Sequence, residues 1–362
     1  MAVVLSMIAV ALNAGSSSLK FSIAKSGFQP SYTGSADGFG QPDARLQIND
    51  PSGKAVCNQG CATLQEAAGV VLDFIGAQDI PVSAIGHRIV HGGPRVLQHC
   101  LVDRNVRASL SEASAMAPLH NPPALDVLDM AQAAFPQTPQ VACLDTAFHA
   151  SLPPVATRFP LPMHKLGEGI RRYGFHGLSC ESILDQLNPI PQRLVIAHLG
   201  GGASVTAVLE GTSCDTSMGL TPDGGLVMET RSGDLDPGLL VWLLRHGETA
   251  DSLEDLLNRS SGMAGISGRA GDPRVLRAAA GPYDVLALEI FVHGIAKAIA
   301  GMGTVLGGID LLVFTGGIGT NDADLRKAVL ARLAWLGDIP SKHLLAQEEA
   351  IILRHCYRLV AP

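Results

Sequence analysis

Short apolar runs, separated by turns of glycine, serine and asparagine, are the main pattern along this chain. One unit reads IAVALNAGSSSLKFSI at residues 8–23, and a second reads LVIAHLGGGASVTAVL at residues 194–209. In each, two apolar runs around a turn of small residues predict strand, tight turn and strand, with the first core strand over residues 8–12. Successive backbone N–H groups in such a turn can converge on an anion, so each turn is either an ordinary hairpin or a phosphate-binding turn.

Helical patterns alternate with the strands in both halves of the chain, which predicts two similar mixed α/β halves. In the first half, Asn121 is the predicted N-cap of a helix whose first residue is Pro122. In the second half, a helix is predicted to start at Asp236 and Pro237 and to end at Gly247. No linker rich in proline and serine separates the halves, so we expect them to pack around a cleft.

A third glycine-rich segment reads DLLVFTGGIGTNDADLRKAVL from residue 310. It predicts a buried strand over residues 310–314, a glycine loop over residues 316–319 and a helix from about Asp322. The G-x-G-x-x-G spacing and the Walker A pattern are absent, which argues against a Rossmann or P-loop site. The three glycine turns resemble the duplicated actin and sugar-kinase architecture, in which two phosphate hairpins and an adenosine loop enclose ATP.

Composition narrows the class of protein. A length of 362 residues suggests two domains, and a net charge of −7 argues against a general nucleic-acid-binding protein. Seven irregularly spaced cysteines favour a reduced, cytoplasmic protein over a disulfide framework. The apolar start lacks the basic residues of a secretory signal, and the apolar stretch around residues 284–306 is predicted to be a core helix. We therefore expect a soluble protein with no membrane or nucleic-acid partner.

Four further segments carry charge and imidazole groups in apolar surroundings. They read GHRIVHGG (86–93), LDTAFHASLP (144–153), RRYGFHGLS (171–179) and METRSGDLDPG (228–238). Arginine and histidine donors can stabilise the charge of a transferring phosphoryl group, and carboxylate and amide oxygens suit Mg²⁺. Alternatively, each arginine pairs with a carboxylate and each histidine is a buried structural donor. The glycine turns in the same chain favour phosphoryl transfer.

Together these motifs resemble the acetate kinase family. From residue 8 to about residue 350, NAGSSSLKFSI, GHRIVHGG, APLHNPPAL, DTAFHASLP, RRYGFHGLS, AHLGGGAS, DTSMGLTPDGGLVMETRSGDLDPG, GISG with DPR, and FTGGIGTN follow the order found in that family. The resemblance implies an α/β fold of duplicated actin-like (ribonuclease H-like) ATPase domains, with mixed sheets flanked by helices and an active site in the interdomain cleft. It also implies a homodimer, Mg²⁺ or Mn²⁺, and ATP and ADP as co-substrates.

The resemblance also implies roles for individual residues. Asn13 and Glu348 match Mg²⁺ ligands, Arg88 matches the arginine that meets the substrate, and Leu119 and Pro222 match the pocket around the acyl methyl group. Asp145, His176 and Arg231 match the catalytic groups. The residues that match nucleotide-binding positions are Lys20, His198, Leu199, Gly200, Gly201, Gly202, Asp272, Pro273, Arg274, Gly316, Gly317, Ile318, Gly319, Thr320 and Asn321.

The chemistry implied is reversible in-line transfer between ATP and acetate, which gives acetyl phosphate and ADP. The acceptor carboxylate is already ionised at neutral pH and needs no general base, so Asp145 is expected to organise Mg²⁺ and arginine. Residues 1–147 are expected to form a domain for the acyl substrate and phosphate, and residues 148–345 a domain for the nucleotide. Residues 346–362 are expected to return to the first domain.

Several positions depart from the family pattern. Gly201 stands where asparagine is usual in HLGNGAS, and Thr320 stands where glutamate is usual in GGIGEN. The segment before QEEAIIL is also shorter than in most members of the family, and the tail, RHCYRLVAP, lacks the expected aspartate. Propionate or butyrate as acceptor, pyrophosphate as donor, and a non-catalytic nucleotide sensor on the same fold are therefore the alternatives to an ATP-dependent acetate kinase.

Overall fold

The structure is a computed structural model that describes residues 7–15, 18–27, 29–78 and 80–361. Ser16 and Ser17 of the first predicted turn lie outside the described residues. The chain divides into two compact units. The first runs to Ala147 and also includes the segment from Gln347, and the second is Phe148–Ala346.

Thirteen strands and thirteen α-helices are found in the described residues. The strands are β1 Ile8–Ala14, β2 Ser18–Lys25, β3 Pro30–Asp37, β4 Arg45–Asn49, β5 Ala55–Gly60, β6 Ala84–Ile89, β7 Cys100–Leu101, β8 Gln140–Leu144, β9 Arg193–Leu199, β10 Ala203–Leu209, β11 Thr212–Thr216, β12 Leu311–Thr315 and β13 Ser341–His343. The helices are α1 Leu64–Ala77, α2 Arg104–Ala113, α3 Asn121–Ala134, α4 Pro154–Thr157, α5 Gly177–Asp185, α6 Pro237–Arg245, α7 Ala250–Arg259, α8 Gly262–Ser267, α9 Pro273–Ala279, α10 Pro282–Leu306, α11 Gly316–Asn321, α12 Ala323–Leu333 and α13 Glu348–Val360.

The two sheets share one topology. The first has the order β5-β4-β3-β2-β1-β6-β8-β7, and the second has the order β11-β10-β9-β12-β13. In the first sheet β1, β6 and β8 run parallel, and β2 is antiparallel to both of its neighbours, β1 and β3. In the second sheet β9, β12 and β13 run parallel, and β10 is antiparallel to both of its neighbours, β9 and β11. The strands β3-β2-β1-β6-β8 of the first sheet match β11-β10-β9-β12-β13 of the second in order and direction. This match confirms the prediction of two similar α/β halves.

Both predicted strand–turn–strand units are antiparallel pairs. β1 pairs with β2 from Ile8 opposite Lys25 to Ala14 opposite Leu19. β9 pairs with β10 from Arg193 opposite Leu209 to Leu199 opposite Ala203. All of β12 is buried, as are most residues of β9 and β10, because each lies in the interior of its sheet.

Two local predictions were wrong. Helix α3 begins at Asn121 with His120 as its N-cap. The buried Asn121 side chain instead accepts a hydrogen bond from the backbone N of His91 and donates one to its carbonyl, so a tertiary partner replaced the predicted capping role. The predicted glycine loop over residues 316–319 is the short helix α11, because Gly316 at φ +78° turns the chain directly from β12 into helix. Asp322 then caps α12, as the sequence suggested.

One helix in the described part of the chain, α10, is long and apolar enough to cross a bilayer by length and composition. Its buried residues include Phe291, Ile295 and Ile299. They lie on a helix that packs against β9, β10 and β11 on one side of the second sheet and against α8, α9 and α12. This packing is that of a core helix of the second unit.

Helix α13 packs on the first sheet and closes one face of its core. Its buried residues include Ile352 and Cys356, and the helix contacts β1, β2, β6 and β8. A Cβ at Gly86 of β6 would lie 2.6 Å from Sγ of Cys356 and closer still to Cγ2 of Ile352. Only glycine at position 86 therefore allows α13 this close to the sheet.

Replacing this glycine should destabilise the first unit. We expect Gly86→Ala to lower the free energy of unfolding by about 1–3 kcal/mol, because the added methyl group has to displace a well-packed helix. Gly76→Ala is the matched control, since a Cβ at position 76 would meet no atom within 4 Å and α1 gains a better helix former. Urea denaturation followed by circular dichroism measures both. Equal stability of the two variants would contradict the packing argument.

Candidate active site

The first group of predicted site residues lies at one edge of the first sheet. Asn13 is near the end of β1, Arg88 is near the end of β6, and Asp145 follows directly after β8. Because these three strands are parallel, their carboxyl ends meet at the same edge. Leu12 lies opposite His87 and Arg88 lies opposite Cys143, so Asn13 and Arg88 leave the sheet at one level and Asp145 lies two residues beyond the partner of Arg88.

Arg88 and Asp145 form a buried ion pair. The guanidinium donates from Nε to Oδ2 at 3.0 Å and to Oδ1 at 3.2 Å, and from Nη2 to Oδ2 at 2.6 Å. The Arg88 side chain is 19% exposed and that of Asp145 is 1% exposed. Burial raises the pKa of Asp145, and the charge of Arg88 opposes that rise. Burial alone would lower the pKa of Arg88, but the carboxylates of Asp145, Glu348 and Glu349 outweigh it and raise the pKa.

Asn13 connects this pair to the C-terminal helix. Its Oδ1 accepts from Nη1 of Arg88 at 3.4 Å, and its Nδ2 donates to Oε2 of Glu348 at 2.9 Å and to Oε1 of Glu349 at 2.7 Å. Glu348 and Glu349 are the first two residues of α13. One amide oxygen and several carboxylate oxygens thus lie close together, and this is a donor set that suits Mg²⁺ or Mn²⁺.

Two more predicted residues belong to the first unit. Lys20 on β2 is the register partner of Asn13, so the two side chains leave the sheet on the same face. Lys20 is exposed. Leu119 is half-buried and lies between α2 and α3, in the segment that leads to the buried Asn121.

The predicted histidine of the second unit has an unusual backbone. His176 lies at φ 60°, ψ 27° and precedes the first residue of α5. This left-handed conformation is uncommon for a residue with a side chain and often marks a functional position. Nδ1 of His176 lies 2.9 Å from Oγ of Ser204, and its ring stacks on that of His198 with centroids 4.0 Å apart. Ser179 holds His198 in turn, with Oγ 2.8 Å from Nδ1.

Arg231 and His176 converge on the glycine turn between β9 and β10. A Cβ at Gly202 would lie 3.3 Å from Nε2 of His176 and 3.5 Å from Nη1 of Arg231. Nη1 of Arg231 also donates to the carbonyl of the buried Pro222 at 3.2 Å. Two side-chain donors therefore meet beside the turn, where both could contact a bound anion.

His149 supports this arrangement from within the core. Its Nε2 lies 2.9 Å from the Phe175 carbonyl, which can only accept, so Nε2 carries the proton and Nδ1 accepts from Ser213. Burial lowers the pKa of His149 to about 4, so the ring is neutral at physiological pH. Gly174, at φ +74°, leaves room for the ring, because a Cβ there would lie 2.7 Å from its Cγ. His149 is thus a structural histidine that fixes the residue before His176.

A cavity of about 560 Å³ in the second unit collects most of the predicted nucleotide residues. Its lining comprises Gly200, Gly201, Glu229, Asp272, Pro273, Arg274, Arg277, Gly317, Ile318, Asn321, Asp322, Ala323 and Asp324. The β9–β10 turn and helix α11 meet here, since a Cβ at Gly316 would lie 2.5 Å from the carbonyl oxygen of Leu199. Gly319 also lies against Leu199, where a Cβ would lie 3.5 Å from that of Leu199.

The cavity walls are held by their own polar contacts. Asp272 caps α9 and accepts from the side chain of Arg274, which remains largely exposed. Arg277 donates to Asp322 at 2.6 Å. Asn321 donates to the carbonyl of Gly317 at 2.9 Å, and Thr320 to that of Leu344 at 3.4 Å. The last two side chains therefore stabilise α11 and its surroundings.

Sequence reasoning missed several residues that contact the predicted ones. Glu349 adds a second carboxylate at Asn13, Ser179 holds the stacked ring of His198, and Glu229 lines the cavity. The acidic pair in QEEAIIL was the available signal for Glu349. No sequence pattern singles out Ser179 as the partner of His198, because the two residues lie on different elements.

Two histidines without an assigned role also lie in the core of the first unit. The rings of His99 and His355 stack with centroids 3.8 Å apart, and Nδ1 of His99 accepts from the backbone N of Leu144 at 3.0 Å. His99 thus holds the residue that precedes Asp145. His355 belongs to α13, so this contact also helps to fix the helix that carries Glu348.

Comparison with known proteins agrees with these features. The profile described as Acetokinase family matches residues 8–351. An acetate kinase of Thermosynechococcus vestitus is 40% identical over 358 residues, with 90% of this chain and 86% of that protein covered. The crystal structure of a propionate kinase from Francisella tularensis is similar at a TM-score of 0.89 and 32% identity, over 98% of this chain and all of that one. For an acetate kinase of Porphyromonas gingivalis the TM-score is 0.84 at 28% identity, with 98% and 100% covered.

Breaking the Arg88–Asp145 pair from one side should be costly. We expect Arg88→Ala to lower the free energy of unfolding by about 3–5 kcal/mol, because it leaves Asp145 buried without its partner. Arg107→Ala is the matched control, since its pair with Asp129 is more exposed and should cost less than about 1 kcal/mol. Denaturant titration measures both, and the double variant Arg88→Ala/Asp145→Ala should recover part of the loss. A loss of stability no larger than that of the control would show that the Arg88–Asp145 pair contributes no more than an exposed ion pair.

Proposed function

Because the chain belongs to the acetokinase family, we propose that it catalyses reversible phosphoryl transfer between ATP and acetate, giving ADP and acetyl phosphate. The convergence of His176 and Arg231 on the turn at Gly202 carries the proposal. A purely structural protein has no need for two cationic or polar donors beside a glycine turn that lines a large cavity. A phosphoryl group, by contrast, spreads negative charge over several oxygens and needs donors of this kind.

The roles of the first unit follow from its ion pair. We assign Arg88 to the acceptor carboxylate, since Asp145 fixes the guanidinium through Nε and Nη2 and leaves Nη1 directed toward Asn13. Asp145 then positions Arg88 and removes no proton, because the acceptor is already a carboxylate at neutral pH. Leu119 is the proposed apolar contact of the acyl methyl group.

The roles of the second unit are electrostatic. His176 and Arg231 stabilise the transferring phosphoryl group, and Ser204 orients the imidazole through Nδ1 so that Nε2 faces the turn. Pro222, which matched the acyl pocket by resemblance, holds Arg231 through its carbonyl. Backbone N–H groups of the turn at residues 200–202 are the proposed phosphate donors.

A divalent cation fits the oxygen donors at the end of β1. Asn13, Glu348 and Glu349 are the residues that we propose to hold it, as Mg²⁺ or Mn²⁺. Such an ion neutralises phosphate charge and orients the phosphate chain when it is bound. The two carboxylates meet at Nδ2 of Asn13, and a bound ion would replace the hydrogen bonds that they accept from it.

A nucleotide is favoured over pyrophosphate as the donor. The cavity of about 560 Å³ has the volume that a nucleoside needs, and its wall of Gly317, Ile318 and Pro273 offers an apolar surface for a flat ring. Thr320 stands where glutamate is usual in the family. Its hydroxyl donates to the Leu344 carbonyl, so this side chain leaves the cavity open. Pyrophosphate alone would leave this space unused.

Direct assay tests the proposal. With Mg-ATP, we expect acetate to be converted to acyl phosphate, measured as the hydroxamate, with propionate and butyrate compared in parallel. Arg231→Ala should lower kcat by about a thousandfold or more, because a transition-state arginine is removed. Arg259→Ala, on the exposed face of α7, is the control and should leave kcat unchanged.

Other outcomes of this assay select the alternatives. Faster turnover of propionate would make the chain a propionate kinase, and activity only with pyrophosphate would overturn the nucleotide assignment. Binding of nucleotide without turnover of any acid would favour a sensor on the same fold.

A homodimer is the proposed assembly. Helix α6 leaves Leu239, Val241, Trp242 and Leu244 each more than 40% exposed, which is a large apolar surface for one short helix.

No disulfide joins any of the seven cysteines, all of which are described, and this supports a reducing compartment such as the cytoplasm.

The surface of α6 predicts the result of a solution measurement. We expect light scattering to give the mass of two chains, and Trp242→Glu to shift the equilibrium toward one chain, because a charge would then be buried in the contact. Val155→Glu is the control, since Val155 is 91% exposed on a different helix. A Trp242→Glu variant that remains as large as the unchanged protein would contradict the assignment of this surface.

A further inference from the structure

Glu229 places a carboxylate where the nucleotide cavity meets the glycine turn. Its Oε2 lies 3.3 Å from the position that a Cβ of Gly201 would occupy, and both residues line the cavity. The backbone N of Glu229 donates to the carbonyl of Gly201 at 3.4 Å, so the two segments are adjacent along their main chains as well. The carboxylate therefore lies beside the very turn that we assign to phosphate.

The position of Glu229 is built by the packing around it. The backbone N of Ala264 donates to the carbonyl of Glu229 at 2.9 Å. A Cβ at Gly271 would lie 2.9 Å from Cγ of Glu229, and a Cβ at Gly262 would lie 2.8 Å from its carbonyl oxygen. Glycines at 201, 262 and 271 thus leave the space that the main chain and side chain of Glu229 occupy.

The carboxylate of Glu229 forms no hydrogen bond or ion pair within the described residues. The two arginines of the cavity are engaged elsewhere, Arg274 with Asp272 and Arg277 with Asp322. A carboxylate without a cationic partner repels a polyphosphate chain that approaches the same turn. A divalent cation on that chain turns the repulsion into attraction, because carboxylate oxygens are ligands for Mg²⁺.

We infer that Glu229 is a specificity-determining residue of the donor site, which accepts a phosphate chain that carries a divalent cation and rejects the same chain without one. The inference rests on the proposed function, since it requires nucleotide phosphates at the turn of residues 200–202. It assigns to Glu229 a role that is separate from the oxygen donors of Asn13, Glu348 and Glu349.

Binding of ADP tests the inference without turnover. Isothermal titration calorimetry gives the Kd of ADP in excess MgCl₂ and in EDTA, and the ratio of the EDTA value to the Mg²⁺ value measures the discrimination. In Glu229→Gln, which keeps the shape and removes the charge, this ratio should fall by about tenfold or more, because charges a few ångströms apart interact by more than the energy of a tenfold change. Glu254→Gln removes an equivalent charge from exposed α7, outside the cavity, and should leave the ratio unchanged.

The outcomes separate this inference from the proposed function. An unchanged ratio in Glu229→Gln, with Mg-ADP still bound, overturns the inference alone. Equal weakening of ADP binding in both buffers also overturns it, since that result indicates a hydrogen bond that Glu229 accepts from the nucleoside. Failure of the unchanged protein to bind ADP in either buffer overturns the proposed function and the inference with it.

A second pair of variants tests the contact itself. Gly201→Asn should weaken Mg-ADP binding, because its Cβ would lie closer to Oε2 of Glu229 than ordinary van der Waals contact and the carboxylate has to move. In the double variant Gly201→Asn/Glu229→Gln, the ratio of the EDTA value to the Mg²⁺ value should fall no further than in Glu229→Gln alone, because the carboxylate that the first change displaces is then absent. Additive effects of the two changes would show that the residues do not interact, and would overturn the assigned position of Glu229.

Discussion

An arginine with most of its side chain buried needs a carboxylate beside it, and Asp145 fills this need for Arg88. The pair lies at the carboxyl ends of two parallel strands, and Asn13 at the end of a third strand contacts the guanidinium. Asn13 also receives the two glutamates at the start of α13. One ion pair therefore ties three strands of the first sheet to the last helix of the chain, and the candidate carboxylate and metal sites both depend on it.

In the second unit, the candidate site depends on glycines that let backbone segments lie close together. Gly316 lets α11 rest on the end of β9, and Gly202 leaves room for the donors of His176 and Arg231. At each place a side chain on the glycine would fill the space that the candidate site requires. The same property explains why Glu229, enclosed by glycines, can bring its carboxylate to the cavity.

Prediction from sequence succeeded where the signal was local. Alternating apolar runs and small-residue turns placed β1, β2, β9 and β10, and the N-cap of α6 at Asp236 followed from an ordinary capping pattern. It failed at Asn121, where a capping residue by type is turned inward to the backbone of His91. It failed again at residues 316–319, because glycine-rich sequence predicts a loop unless tertiary contacts supply the reason for a helix.

The residues of the candidate site were likewise only partly predictable from the sequence. The family and the duplicated α/β fold follow from the sequence, which also singles out Arg88, Asp145, His176 and Arg231 as candidates, since each lies in a long motif whose residue types suit phosphoryl transfer. Only the tertiary structure decided which groups meet. Glu349 at Asn13, Ser204 at His176 and Glu229 at Gly201 come from distant parts of the chain. Their proximity is set by strand register and helix packing, which a linear pattern of residues does not contain.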